Sequence, residues 1–144
     1  MMAQYEKVKA PSRRREFIYT LKELADFEMQ KREWCKPKFN PNATHTFSDN
    51  MSFVTEFILD DGDLDRKEAA TAKIGYWFKN KEEALVAHKV AKALDNALEE
   101  LGYNQPNEVY VSSPLWHKVV EEAKASYEIF KDEDLDELLK QARE

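Results

Sequence analysis

The sequence predicts an α+β domain: a small, mainly antiparallel sheet of about three strands packed with four to five helices. Three observations carry that expectation. Met51–Leu59 and Lys73–Lys79 place apolar side chains at alternate positions, and a shorter β-prone run, Glu108–Val111, comes later. Between and around them, apolar residues recur at steps of three and four, the helical period. With 144 residues, 42% hydrophobic and 12% aromatic, the chain can bury one core, which makes 1–144 a single domain.

Residues 1–11 are polar and read as a flexible N-terminus closed by Pro11. Ser12 is the expected N-cap of a first helix, whose face runs through Phe17, Ile18, Leu21, Leu24 and Ala25. Asp26 restarts a helical segment carrying Phe27, Gln30 and Trp34. Lys36 to Asn50, with Pro37, Pro41 and three asparagines, reads as loop. The Met51–Leu59 strand ends in the turn Asp60-Asp61-Gly62-Asp63, and a polar, helix-tolerant stretch leads to the second strand.

Asn80 with Glu83 three residues on has capping-box spacing and opens the most secure helix. Its stripe runs from Ala84 to Leu101, and Gly102 stands where a terminating glycine belongs. Ser113-Pro114 supplies an N-cap and a first-turn proline for the next helix. There Trp116 shares a face with Val119, Val120 and Ala123, so it is expected in the core, with its indole N–H bonded near Glu108–Val111. Residues 131–144 read as an acidic C-terminal helix with Leu135, Leu138 and Leu139 on its apolar side.

Charge narrows the function classes. Charged residues make up 35% and the net charge is -6, with a mean hydropathy of -0.74. The longest uncharged, non-polar run is Ile74–Phe78, far short of the roughly 20 residues that span a bilayer. No apolar leader is visible at the N-terminus and Cys35 is the one cysteine, which fits a reducing cytoplasm. Residues 1–40 carry a balance of +4 and residues 41–144 one of -10. Phosphate affinity comes from clustered Lys and Arg, so nucleic acid is not the expected partner and a basic protein is.

Little in the chain looks like catalysis. Gly62, Gly75 and Gly102 are too far apart for a phosphate loop. Asp61-Gly62-Asp63-Leu64-Asp65 begins like a calcium loop, but Arg66 and Ala72 stand where glycine and glutamate are required. No cofactor or metal is expected. An enzyme would need His45, His88 or His117 brought against a carboxylate by folding. His88 is otherwise a flank residue of its helix, and Cys35 beside Trp34 a small buried hydrophobe. The basic cluster Arg13-Arg14-Arg15 is expected to answer acids within the chain, because three cations in a first turn oppose the helix dipole. Two acidic clusters exceed what capping requires: Asp60, Asp61, Asp63 and Asp65, then Asp132, Glu133, Asp134, Asp136 and Glu137. These nine carboxylates are the candidate partner-binding residues.

Pro11-Ser12, Arg14, Leu21, Leu24, Asp26, Glu28, Gln30 and Trp34 form a pattern that resembles a family of small uncharacterised bacterial proteins. Ile58-Leu59-Asp60-Asp61, Glu100-Leu101-Gly102 and Pro114-Leu115-Trp116 continue the resemblance over roughly residues 8–130. Loop 36–50 and tail 131–144 look like additions to it. The resemblance brings no activity with it. By analogy, such small acidic proteins resemble bacterial immunity proteins. It implies a cytoplasmic protein that neutralises a cognate toxin, a basic nuclease as in contact-dependent growth inhibition, by occluding its active site. The alternatives are a small enzyme using Asp and His side chains, or a housekeeping interaction domain using Tyr103, Tyr110 or Trp116. The oligomeric state is not set by the sequence.

Overall fold

The computed structural model describes residues 6–35, 49–103 and 105–143. Most of the loop expected at Lys36–Asn50, His45 included, lies outside the described residues, as does the start of the N-terminal segment. The elements are helices throughout: α1 Pro11–Ala25, α2 Phe27–Met29, α3 Asp49–Thr55, α4 Lys67–Ala72, α5 Lys81–Leu101, α6 Asn107–Val111, α7 Pro114–Phe130 and α8 Leu135–Arg143. Wider π-type turns extend α2 over Gln30–Trp34 and α3 over Glu56–Asp61. Among the described residues there is no strand, and the fold is all-α.

Each of the three expected strands is therefore corrected. Met51, Val54, Thr55 and Ile58 are all buried, and their spacing of three, four and seven is a helical stripe. Apolar residues on both faces of Met51–Leu59 satisfied either period, and helix packing took the helical one. Lys73–Phe78 is an irregular turn. Trp77 N and Phe78 N both donate to Lys73 O, and Ile74 pairs with Phe78 only as an isolated bridge. Val109, Tyr110 and Val111 lie in a short helix after Pro106, since a four-residue strand has nothing to pair with when the other two are absent.

Local signals were decoded well where they cap helices. Asn80 Oδ1 accepts Glu83 N at 2.9 Å, Ser113 Oγ accepts Leu115 N at 3.1 Å, and Gly102 (φ 88°) closes α5 by donating to Leu98 O. The first helix instead begins at Pro11, after Ala10. The core lies where α7 packs against both α5 and α1, with α8 laid over α1. Phe17 of α1 meets Phe78 and Phe130 edge-on, with ring centroids 5.2 and 5.5 Å apart.

Two buried polar residues fix how these helices meet. Gln30 is fully buried; its Nε2 donates to Glu23 O and Leu24 O, and its Oε1 accepts the Trp116 indole N–H at 2.7 Å. Trp116 is thus in the core as expected, but its acceptor is Gln30 rather than the 108–111 segment. Arg14, 2% exposed, donates to both Glu83 oxygens at 2.7 and 3.1 Å, to Trp77 O at 3.1 Å and through Nε to Glu133 at 3.0 Å. Its guanidinium also lies 5.3 Å from the Phe130 ring centre. Burial acts to lower its pKa, but the Glu83 and Glu133 carboxylates outweigh it and hold it above the ordinary value.

Candidate functional site

The middle of the arginine cluster is spent inside the protein; Arg13 finds acids nearby, whereas Arg15 Nε is buried without a hydrogen-bond partner. Arg13 reaches Glu16 at 3.4 Å and Asp61 at 4.0 Å, while Arg15 lies over the Tyr19 ring. The surface chemistry that remains belongs to the acids.

The first acidic cluster is brought to the C-terminal end of α5. Asp60 and Asp61 are exposed where the π-type turn after α3 runs out. Gly62 follows, its N–H bonded to Phe57 O at 3.0 Å, and Asp63 takes a left-handed φ of 51°. Asp63 is engaged by Arg66 at 2.9 Å. The charges of Asp60 and Asp65 instead act on Tyr103, as do those of Asp95 and Glu99 of α5. Burial and then the charges of Asp95, Glu99, Asp60 and Asp65 push the Tyr103 phenol above its usual pKa. Burial, Glu99 and Asp65 likewise raise Asp95, against a smaller opposing effect of Lys92. The charges of four carboxylates therefore act on an aromatic side chain that is 52% exposed.

This arrangement works against stability. Glu99 and Glu100 sit in the last turn of α5, where the helix dipole disfavours negative charge, and no basic residue is there to offset it. Asp95 and Glu99 are like charges one turn apart. Sequence reasoning placed Asp60 and Asp65, and named Tyr103 only for a housekeeping interaction surface, but missed Asp95 and Glu99. Acids at the wrong end of a helix were the available signal.

The second cluster surrounds the α7–α8 junction and is divided in its duties. Glu133 binds Arg14 and also Lys79 at 3.4 Å. Asp134 caps α8, accepting from Asp136 N and Glu137 N at 3.0 and 3.1 Å. Asp132, Asp136 and Glu137 are exposed. A cavity of about 160 Å³ opens beside them, lined in part by Glu6, Glu133, Glu137 and Gln141.

Neither described histidine makes a hydrogen bond or ion pair with a carboxylate among the described residues. His88 Nδ1 lies 3.0 Å from Leu64 O, and His117 packs edge-on against Phe27 at 5.0 Å. Cys35 is half-buried, and burial together with Glu108 pushes its thiol up. Among the described residues no three or more His, Cys, Asp or Glu side chains converge in a way that could hold a metal ion. No described helix is long and apolar enough to cross a membrane.

Comparison with known proteins adds a family. A family model with the description Domain of unknown function (DUF7945) matches residues 8–138. The match spans the 36–50 segment and ends within α8. No curated protein and no solved structure matches the chain.

Proposed function

The chain belongs to that family, Domain of unknown function (DUF7945), and from its acidic face we propose that it binds and occludes a basic protein partner. The single observation that carries this reading is that the charges of Asp60, Asp65, Asp95 and Glu99 bear together on exposed Tyr103 at the end of α5. Like charges held together at the negative end of a helix cost stability, and a cationic partner would relieve that cost. Tyrosine at the centre of such a face supplies an apolar anchor with a polar tip, the composition of interface centres. Asp61, Asp132, Asp136 and Glu137 extend the negative field and would steer approach.

A toxin nuclease domain fits this surface best, because its active site holds phosphates and the carboxylates would stand in their place. The chain would then act as an immunity protein in a reducing cytoplasm. The test is association with the product of the reading frame beside its gene, followed by surface plasmon resonance at low and high salt. Association should slow at least tenfold on adding salt, since steering of this kind is worth about 10-fold to 1000-fold in rate. Asp60→Asn/Asp65→Asn/Glu99→Gln should slow it similarly at low salt without lowering the melting temperature. Rates independent of both salt and these substitutions, or no association at all, would overturn the reading.

A further inference from the structure

We propose that the groove between α5 and α7 is a self-association surface, on which a second copy of this chain docks antiparallel through α5. The groove has a volume of about 590 Å³, with Ala93, Pro114 and Leu115 among its apolar lining and Lys89, Lys92 and Lys118 at its rim. Leu115 is 37% exposed there. Glu122, also in the lining, pairs with Lys118, so among the described residues Lys89 and Lys92 are the groove's unpaired cations, and in a chain of net charge -6 they are matched by an aromatic with acids near it. The same chain carries that aromatic, Tyr103, on which the four carboxylates act.

Helical geometry makes the match symmetric. Lys89, Lys92, Asn96, Glu99 and Glu100 are all exposed and, at 100° per residue, share one side of α5. Along the helix their charges run positive, positive, neutral, negative, negative. Lys118 reaches Glu122 at 3.9 Å, whereas Lys89, Lys92, Glu99 and Glu100 form no ion pair among the described residues. A two-fold axis through Asn96 sets Lys92 against Glu100 of the second copy and brings the second copy's Tyr103, which follows the end of α5, toward the Lys89 end of the groove. The reciprocal contacts form at once, as a two-fold interface requires. Lys92 and Glu100 are about 12 Å apart along the axis, so one copy cannot pair them internally. The docked Tyr103 then lies over the second groove, where the lysine rim meets its ring and the acids beside it.

This inference is independent of the basic-partner reading, since it involves one kind of chain and its test contains no other protein. Glu99 and Tyr103 belong to both surfaces, so a basic partner would displace the second copy. Sedimentation velocity over a concentration series at low salt should show the mass rising from 16.9 kDa toward twice that value. Added salt should shift the series back toward monomer. Lys92→Glu alone, and Glu100→Lys alone, should each weaken dimerisation about tenfold or more by setting like charges opposite one another. Lys92→Glu/Glu100→Lys together should restore it. Both substitutions are at exposed helical positions, and circular dichroism checks that the helices persist. A monomer at every concentration overturns the proposal and leaves an acidic segment of another protein as the occupant of the groove. A dimer untouched by either single substitution, or not rescued by the pair, overturns this interface.

Discussion

Replacing Arg14 with methionine should be among the most damaging single changes in the chain. The substitution keeps much of the side chain's length and apolar contact with Phe130 but removes the guanidinium. Glu83, whose side chain is 8% exposed, and Glu133, 18% exposed, are then left without it. Lys79 still reaches Glu133, and Lys79 N still bonds Glu83, but nothing replaces the two-pronged contact at 2.7 and 3.1 Å. Removing one partner of a buried pair costs about 3–5 kcal/mol, because the remaining charge is stranded. Trp77 O also loses its donor, which adds to the loss. Arg14→Lys should recover only part, since one ammonium cannot serve Glu83, Glu133 and Trp77 O together. Arg14→Met/Glu83→Leu removes both charges and should be less destabilised than Arg14→Met alone. Urea unfolding at neutral pH measures all three. A loss under about 1 kcal/mol in Arg14→Met, or a double variant worse than the single, would refute the argument that the stranded carboxylate sets the cost.

Further outcomes follow from the same geometry. Trp116→Ala should lose about 3–5 kcal/mol, and Trp116→Phe about 1–3 kcal/mol by leaving Gln30 Oε1 unpaired; thermal melts distinguish them. Gly62→Ala should destabilise, because a Cβ there meets Ile58 O, Phe57 O and Leu64 Cγ at 3.0 Å, and a lowered urea midpoint shows it. Asp95→Asn should stabilise at neutral pH by about 0.2–0.5 kcal/mol, the cost of a like-charge pair one turn apart. Asp95 is raised in the folded protein, so its charged form is the disfavoured one and wild type loses stability as pH rises through that value. The advantage of Asp95→Asn should accordingly fade as pH falls below the usual carboxylate range, and melts across pH check the sign. Glu108→Gln should speed alkylation of Cys35 at neutral pH by removing a charge that opposes thiolate formation, read as an iodoacetamide rate.

The sequence is legible wherever a structure depends on residues three or four apart. Asn80, Ser113 and Gly102 each set a helix end through a local bond as expected, while the Glu83 carboxylate accepts from Lys79 N and Arg14 instead of closing the capping box on Asn80 N. It is ambiguous where one run of residues satisfies two periods. In Met51–Leu59 the buried set Met51, Val54, Thr55 and Ile58 is helical, yet Met51, Phe53, Phe57 and Leu59 also fall on alternate positions. Three misread segments supported one another, for a sheet needs partners, and losing one strand removes the reason for the rest. The longest-range facts had no local trace: Arg14 finds Glu83 69 residues away and Glu133 119 away. An arginine triplet announces only that counter-charges are needed. The acidic face lies between these cases. Asp60 and Asp65 were visible as a cluster, while their meeting with Asp95, Glu99 and Tyr103 depends on where α5 ends. Capping explains Asp134, an ion pair explains Glu133, and Arg66 explains Asp63. Asp60, Asp65, Asp95 and Glu99, whose charges act on Tyr103, make no ion pair or capping bond among the described residues, and that remainder is what a basic partner would engage.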